Sequence, residues 1–392
     1  MKGTITYSDV QRAEDPETGV EVTRLSDGEG ETNHPYFTAS QVDRDSSFVI
    51  VTSNRTGQHQ FYTLGLFDGK LVQLTQDGNV HSGCLDQENH IFYYFAGHTL
   101  KSVRIDTLEE EALMDVPSGF IPASLTCTAD GRYLAFTIVE LNDVELCTAR
   151  YEPEFSGGSK GFREKFYRHP TSLILRYDTE ARVGYTVTGD HRRMTHVIIH
   201  PQDENTILFC HEGPWSLVQR MWIAKVATDE VYPLIETQRH LERVGHEFFT
   251  LNGRVGTQYS YRYRPDIDDL FHADIYVNPD GSDERRYYYP YRRPVHVYAN
   301  DETHIAVGDT AQILLEDPEY RRYISLIKYD ADSHRAIVGR LCRHDTSWRK
   351  ASHPHPILTP DDQHVIWGSD VGGTMDVYMA PATWEACIQS DR

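Results

Sequence analysis

Short runs in which apolar and polar residues alternate, each ended by a turn, make up most of the chain. The first clear set covers residues 48–53, 60–64 and 71–75, and the turn at 67–70 contains an Asp-Gly pair. Alternation with a period of two is typical of half-buried β-strands, and Asp-Gly is a preferred pair in hairpin turns. Helical periodicity is almost absent, so the pattern predicts an all-β protein.

A module of a turn followed by a strand recurs at roughly 40–60 residues, which is the spacing of four-stranded propeller blades. About seven modules can be counted, and they begin near His34, Val80, Ala123, His196, His246, His296 and His353. We therefore predict a seven-bladed β-propeller, formed as one domain by residues 1–392. A pair of β-sandwiches is the competing fold, but it does not explain the recurring module.

Three segments fall outside this repeat. Residues 19–25 form a lone early strand that could pair with the last module and close the ring, which would remove the sheet edges. An insertion at about 151–170 is glycine-rich and basic, and it is either a solvated surface loop or a lid that grips an anion. A second insertion, which is polar, is predicted at about 261–272.

The charge of the chain narrows the choice of partners. The sequence contains 59 acidic and 38 basic residues, and its formal net charge is −21. Because binding to phosphates needs a basic surface, this charge argues against nucleic acid or an anionic membrane as the main partner. An acidic small substrate stays possible, since a few cations or a metal can reverse the field inside one cleft.

The sequence also bears on the compartment. The residues after Met1 turn polar at once, and the chain shows no apolar run of the length of a signal peptide or a membrane span. Its six cysteines are far apart and form no Cys-x-x-Cys pair. Free, mostly buried thiols are typical of a reducing compartment, so we expect a cytoplasmic protein.

Candidate chemistry begins at His353-Pro354-His355-Pro356. Side chains two residues apart in a strand point to the same side, and two neutral imidazoles suit a transition metal. Alone, such a motif is more simply a loop that leads into a strand. The histidines of other modules change this interpretation, because five of them precede a hairpin at equivalent positions, namely His34, His196, His246, His296 and His353.

A further stretch carries residues that suit a sugar acid. It runs from His211-Glu212-Gly213-Pro214-Trp215 to Arg220-Met221-Trp222. An arginine beside a tryptophan suits a planar anion next to a sugar ring, because the guanidinium pairs with carboxylates in two parallel hydrogen bonds.

Together these pieces resemble the oligogalacturonate lyases, which are the seven-bladed-propeller family twenty-two of the polysaccharide lyases. The resemblance spans nearly the whole chain, and the combination of His-Glu-Gly-Pro with His-Pro-His-Pro is distinctive. The matching segments are Asn33-His34-Pro35-Tyr36-Phe37, His211-Glu212-Gly213-Pro214, Arg220-Met221-Trp222, His246-Glu247-Phe248, His344-Asp345-Thr346-Ser347-Trp348 and His353-Pro354-His355-Pro356.

The resemblance implies a lyase that cleaves short uronate-containing oligosaccharides by β-elimination and gives a 4,5-unsaturated product. It also implies a bound divalent metal, usually manganese. By resemblance, His296, His353 and His355 are metal ligands. His246 falls on the position of the proton-abstracting base, and Arg220 on that of an arginine near the substrate.

One position departs from the family pattern. The fourth protein ligand of the family is a glutamine three residues before the first histidine of His-Pro-His-Pro, and here that residue is Lys350. An ammonium group has no lone pair to give a metal. Either three histidines hold the metal with open positions, or Lys350 pairs with the substrate carboxylate and takes over part of the metal's role.

The reaction removes the C5 proton of a uronate and expels the oxygen on C4. It requires a cation at the carboxylate and a base of near-neutral pKa, and the sequence offers Arg220 and Lys350 as cations and His246 as base. The acid that protonates the leaving oxygen is open between His211 and Tyr36. We expect His34 and His196 to line the site and Trp215 to stack on a sugar ring, although a core position suits Trp215 equally well.

Two other functions compete with this one. The lysine at 350 is compatible with a lyase for a glucuronate- or rhamnose-linked uronate instead of an oligogalacturonate. A non-catalytic propeller that binds a sugar or a protein is the alternative from a different class, and the histidine set argues against it. The sequence does not indicate an oligomeric state.

Overall fold

The computed structural model describes residues 1–141, 166–214, 217–237, 242–262, 270–290, 294–310, 322–348 and 352–389. In these ranges the regular secondary structure is almost entirely β-strand, as the alternating pattern predicts. No helix within them has the length and apolar character needed to span a bilayer.

The strands follow one another in short hairpins. Those of the first half are β1 (Ile5–Tyr7), β2 (Gln11–Glu14), β3 (Glu21–Arg24), β4 (Thr32–Asn33), β5 (Phe48–Ser53), β6 (Gln60–Gly65), β7 (Lys70–Gln73), β8 (Val80–Asp86), β9 (Ile91–Ala96), β10 (Thr99–Arg104), β11 (Glu110–Asp115), β12 (Phe120–Cys127), β13 (Tyr133–Glu140), β14 (Ser172–Asp178) and β15 (Val183–Asp190).

The second half continues in the same way. Its strands are β16 (Met194–Ile199), β17 (Thr206–His211), β18 (Met221–Lys225), β19 (Glu230–Pro233), β20 (Glu242–Phe249), β21 (Val255–Arg262), β22 (Leu270–Val277), β23 (Arg285–Tyr288), β24 (Val297–Ala299), β25 (Ala306–Thr310), β26 (Tyr323–Asp330), β27 (Arg335–Arg343), β28 (Ile357–Leu358), β29 (His364–Ser369), β30 (Asp376–Pro381) and β31 (Ile388–Gln389).

Neighbouring strands pair antiparallel in successive sets of four, which match the predicted modules. The sets are β4–β7, β8–β11, β12–β15, β16–β19, β20–β23 and β24–β27, and β28–β30 form the start of a last set. The sets β20–β23 and β24–β27 are joined by one parallel pair, Tyr288 with Arg335. β1 adds to the outer strand of the first set, and β31 pairs with β27.

The early strand pairs as the sequence predicts. β3 lies antiparallel to β30, with Thr23 opposite Met379 and Arg24 opposite Tyr378, and β2 pairs with β3. The chain start therefore completes the last sheet. Asp376 stabilises the junction of β3 and β30, because its buried carboxylate accepts hydrogen bonds from the Arg24 Nε at 3.1 Å and the Ser26 hydroxyl at 2.6 Å.

The apolar core lies between neighbouring sheets. In one cluster Ile50 and Phe61 of the first set pack against Leu85 and Phe92 of the second, and the rings of Phe61 and Phe92 are 4.7 Å apart. Each sheet thus buries one face against the sheet before it and the other against the sheet after it. This layering leaves the ends of the strands to carry polar residues.

A β-bulge recurs in the first strand of four successive sets, β8, β12, β16 and β20. At each bulge one residue adopts a positive φ: Ser82 at 43°, Ser124 at 57°, His196 at 49° and His246 at 56°. A bulge re-aims the side chain that it carries, and a positive φ in a residue other than glycine is uncommon. Equivalent bulges therefore present His196 and His246 in the same way.

The predicted insertions fare differently. Residues 142–165 lie outside the described part of the chain, so most of the first insertion cannot be placed. The second is shorter than predicted, because Tyr261 pairs with Phe271 as β21 continues into β22, and only residues 263–269 lie outside the described ranges. The tail forms a 3-10 turn at Trp384–Ala386 before β31.

Candidate active site

Three histidines from two sheets converge at one point. The nitrogens that His296, His353 and His355 can offer to a metal all lie within 4.8 Å of one another. The ring centroids of His296 and His355 are 4.3 Å apart, and those of His353 and His355 are 5.5 Å apart. Three imidazoles at this spacing fit a divalent transition metal with positions left for substrate or water. We call these residues the histidine triad.

One member of the triad is oriented by a buried carboxylate. Asp309 on β25 accepts the backbone N–H of His296 at Oδ1 and its ring Nδ1–H at Oδ2, each at 2.7 Å. Burial raises the pKa of Asp309, but the electrostatic interaction and hydrogen bonds with His296 outweigh it and leave that pKa below its ordinary value. The ionised carboxylate accepts the proton on Nδ1 of His296 and leaves Nε2 as the candidate ligand atom.

Burial keeps the other two imidazoles neutral. It lowers the pKa of His355 well below its usual range, and the neighbouring His296 and His353 add to the effect. Burial likewise lowers the pKa of His353. Neutral imidazoles retain the lone pair that a metal requires, so the donor set suits the cation that the resemblance implies.

His246 lies beside the triad, with its ring centroid 4.6 Å from that of His296. Its Nδ1 is 2.7 Å from the Oε1 of Gln258 on β21. The amide of Gln258 is oriented, because its Nε2 donates to the carbonyl oxygen of Pro294 at 2.9 Å. Gln258 therefore presents an acceptor to His246, which places the proton on Nδ1 and makes Nε2 the unprotonated ring nitrogen.

A second group surrounds Arg220, which is buried. Its Nε lies 3.3 Å from Glu247 Oε2, and its Nη1 lies 3.2 Å from Glu212 Oε1. His196 contacts the same two carboxylates, with Nδ1 at 3.3 Å from Glu247 and Nε2 at 3.6 Å from Glu212. We call these four residues the arginine–carboxylate group. Burial raises the pKa values of Glu212 and Glu247, but Arg220 outweighs it, and both stay ionised.

The arginine–carboxylate group also has the spacing of a metal site. One atom each of His196, Cys210 and Glu212 lies within 4.8 Å of the others. The guanidinium of Arg220 already supplies a cation to Glu212, however, and burial raises the pKa of Cys210 well above its ordinary value. A protonated thiol is a poor ligand, so the triad is the better metal site of the two.

Tyr36 connects the two groups. Its ring lies edge-on to His355 at 4.9 Å and to His196 at 5.4 Å. Burial raises the pKa of Tyr36 well above its ordinary value, so the phenol keeps its proton. His34 supports the loop of the triad, because its Nε2 is 3.3 Å from the carbonyl oxygen of Pro354.

Not every predicted residue joins this arrangement. His211 on β17 lies with its ring 5.3 Å from Trp222 and its Nε2 3.4 Å from Asp190 Oδ2. Those neighbours belong to neither the triad nor the arginine–carboxylate group. Lys350 and Trp215 lie outside the described residues, so the structure does not place them.

Several residues of the site were not predicted from the sequence. Glu212 and Glu247 each follow a histidine of a recognised motif, and that adjacency was the available signal. Asp309 and Gln258 carry no such signal, because they lie on second strands and reach the histidines only through strand register. Trp348 stacks on His296, with the ring planes 5° from parallel and the centroids 6.3 Å apart.

Comparison with known proteins identifies relatives of similar length. A family model described as oligogalacturonate lyase matches residues 2–384. An oligogalacturonate lyase of Dickeya dadantii is 26% identical over 395 residues, which cover 94% of this chain and 94% of that protein. An oligogalacturonide lyase of Pectobacterium atrosepticum matches with the same identity and the same coverage.

Two solved structures have the same fold. One is described as an oligogalacturonate lyase in complex with manganese, and the other is an oligogalacturonate lyase from Vibrio parahaemolyticus. Each superposes with a TM-score of 0.84 at 23% identity, over 98% of this chain. The matches cover 99% and 100% of those chains, so the fold is shared along its whole length.

Proposed function

Because this chain belongs to the oligogalacturonate lyase family, and is therefore a lyase that acts on oligogalacturonates, we propose that His246 and the histidine triad are where a galacturonate unit loses its C5 proton. The observation that carries the proposal is the 4.6 Å between the rings of His246 and His296. At this distance the proposed base and the candidate metal ligands of the histidine triad lie beside the same small volume. β-Elimination there breaks the bond between C4 and its oxygen and leaves a 4,5-unsaturated product.

The residues that would hold a divalent cation are His296, His353 and His355, and manganese is the cation found in complex with one solved relative. When bound, the cation supplies a Lewis acid beside the substrate carboxylate, which makes the C5 proton more acidic. The rest of the chemistry belongs to side chains of the chain itself.

His246 is proposed as the base. Its Nε2 accepts the C5 proton, while Nδ1–H stays hydrogen-bonded to Gln258 Oε1 at 2.7 Å. Since the imidazolium that forms is a donor at both nitrogens, this acceptor stabilises the charged form and holds the ring in one orientation.

Arg220 is proposed as the side chain that faces the negative charge of the substrate. Its guanidinium is fixed by Glu212 and Glu247, so little side-chain entropy is lost when the substrate binds. Tyr36, His34 and His196 line the same region. Tyr36 is the candidate donor to the leaving oxygen, because its phenol remains protonated between the two groups.

We also infer that the successive sets of strands close into a seven-bladed ring that forms a single domain. Support comes from the pairing of β3 with β30, which joins the start of the chain to its last set. We place the enzyme in the cytoplasm, because the described cysteines are free thiols, namely Cys84, Cys127, Cys210, Cys342 and Cys387. Cell fractionation of the native host tests the compartment.

The assay for the function follows the absorbance of the conjugated C4–C5 double bond. The wild-type protein with manganese should produce it from digalacturonate and trigalacturonate. The variant His246→Gln should lose about 100-fold or more in turnover, which is the contribution of a general base, while its manganese affinity stays unchanged. His304→Gln is the matched control, since His304 is exposed and lies 3.3 Å from Asp362. Full activity of His246→Gln, or no absorbance from any uronide, would refute the proposal.

A further inference from the structure

A cavity of about 290 Å³ lies between β15 and the set β16–β19. Its lining includes Asp190, Arg192, His211 and Trp222. We propose that this cavity binds a further uronate unit of the substrate chain, beyond the two units that flank the cleaved bond. The inference rests on the proposed function, since it takes the substrate to be an oligogalacturonate. We call the cavity the outer subsite.

The buried histidine of the outer subsite is incompletely hydrogen-bonded, since its Nε2 lies 3.4 Å from Asp190 Oδ2. His211 is only 5% exposed, and neither ring nitrogen makes a well-aligned hydrogen bond among the described residues. Burial lowers the pKa of His211 to about 4, so the ring is neutral and offers one donor and one acceptor. A buried polar group without well-aligned hydrogen bonds is destabilising, and a ligand hydroxyl that both donates and accepts would offset that cost.

Trp222 supplies a flat apolar wall. Its Nε1–H donates to the carbonyl oxygen of Gln219 at 2.7 Å, so the indole has a fixed orientation. The ring is partly buried and lies 5.3 Å from that of His211 at an angle of 56°. An apolar platform beside a few convergent polar groups is the usual construction of a small-molecule site.

The rim of the outer subsite carries both charges that a uronate recognises. The carboxylate of Asp190 is 43% exposed and the guanidinium of Arg192 is 47% exposed, and they are 3.9 Å apart. Asp190 can accept hydrogen bonds from sugar hydroxyls. Arg192 can pair with the carboxylate of the sugar, because a contact as long as that to Asp190 leaves its other donors available.

The outer subsite adjoins the arginine–carboxylate group along the chain. His211 precedes Glu212, and Trp222 is two residues after Arg220, so the backbone positions within each pair lie within about 7 Å of one another. Arg193 follows Arg192, and its charge acts on Glu212. An acidic oligosaccharide could therefore extend from Arg220 at the proposed catalytic centre to Arg192 at the outer subsite.

The test measures binding rather than turnover. Calorimetry on His246→Gln with manganese bound compares the Kd of digalacturonate with that of trigalacturonate, because only the longer ligand reaches the outer subsite. The trimer should bind more tightly. Arg192→Gln and His211→Gln are each added to His246→Gln. Each should raise the Kd of trigalacturonate about threefold to tenfold and leave the Kd of digalacturonate unchanged. Arg12→Gln is the control, because Arg12 is similarly exposed and lies on β2.

Each result either supports or overturns the outer subsite. Equal affinities of dimer and trimer, or a trimer advantage that survives both substitutions, overturn the outer subsite. A loss of dimer cleavage in His211→Gln made on the wild-type background also overturns it, because His211 would then act at the bond being broken. Failure of the proposed function looks different, since trimer binding would persist while the wild-type protein formed no unsaturated product.

Discussion

Asp309 binds His296 at two points: one carboxylate oxygen accepts the backbone N–H and the other accepts the ring Nδ1–H, each at 2.7 Å. The ring can therefore neither rotate nor change its tautomer without breaking a charge-assisted hydrogen bond inside a buried site. His296 is thus held in one orientation as a candidate metal ligand. Asp309 acts through His296 and is a positioning residue.

Asp309→Asn should weaken manganese binding about 10- to 100-fold, the usual effect of removing such a partner. The amide keeps one acceptor but faces His296 with an N–H group as well, so the tautomer is no longer fixed. The Kd for manganese, read by electron paramagnetic resonance, measures this without reference to activity. Asp376→Asn is the control, since Asp376 is equally buried at the junction of β3 and β30. An unchanged Kd in Asp309→Asn would contradict the positioning role.

Gln258 should act on the base in a separable way. Gln258→Leu removes the acceptor from His246 Nδ1 and should lower kcat about tenfold, since the ring loses its orientation. KM and manganese affinity should change little. Gln258→Glu places a carboxylate there, which favours the imidazolium, so the acidic limb of the kcat profile should move to higher pH. If both variants merely unfold at lower temperature with an unshifted profile, Gln258 has a structural role only.

Much of the fold could be predicted because the core lies between sheets. The predicted run at 48–53 coincides with β5, whose side chains are mostly buried because neighbouring sheets cover both of its faces. β1 and β2 were not predicted, since they have only three and four residues and all of their side chains are exposed.

Part of the candidate site could likewise be predicted from the sequence, and part could not. His353 and His355 could be found because they are two residues apart in one motif, and the structure places them together with His296. The bulge that presents His246 could not be predicted, because a positive φ at a histidine leaves no glycine in the sequence. Asp309 reaches the triad from a second strand, whose register the sequence does not reveal.

The junction of the first and last strands should matter for stability more than for chemistry. Asp376→Asn removes the charge that pairs with Arg24 and weakens the hydrogen bond from Ser26, so the free energy of unfolding should fall by about 2–4 kcal/mol. Urea denaturation measures the change. Glu21→Gln on β3, the strand that carries Arg24, should cost less than about 0.5 kcal/mol, because its contact with Arg12 is exposed. Equal effects of the two substitutions would show that the buried carboxylate has no special part in the junction.

Acid should destabilise the protein through its buried neutral histidines. Burial holds the pKa of His211 at about 4, against about 6.5 in an unfolded chain. Below pH 6.5 the unfolded state binds a proton that the folded state does not bind, so the free energy of unfolding falls as the pH decreases towards 4. At pH 5 the loss from this residue is about 2 kcal/mol.

His211→Gln should flatten that pH dependence by the same amount between pH 7 and pH 5, as measured by urea denaturation. The charges that face His211 are Asp190, which raises its pKa, and Arg192, which lowers it. His304→Gln is the control, since His304 lies at the surface, and it should keep the slope of the wild-type protein. A wild-type slope in His211→Gln would mean that His211 takes up its proton as readily in the folded state as in the unfolded state.

Substitutions of Lys350, which lies outside the described residues, test which group completes the metal coordination of the histidine triad. By resemblance to the family, a glutamine here is a fourth ligand, because its carbonyl oxygen has lone pairs that an ammonium lacks. Lys350→Gln should therefore tighten manganese binding by about tenfold or more. Lys350→Met removes the charge without offering a ligand and should leave the manganese Kd close to that of the wild-type protein. If both substitutions raise KM alike and neither tightens manganese binding, the lysine binds the carboxylate of the substrate.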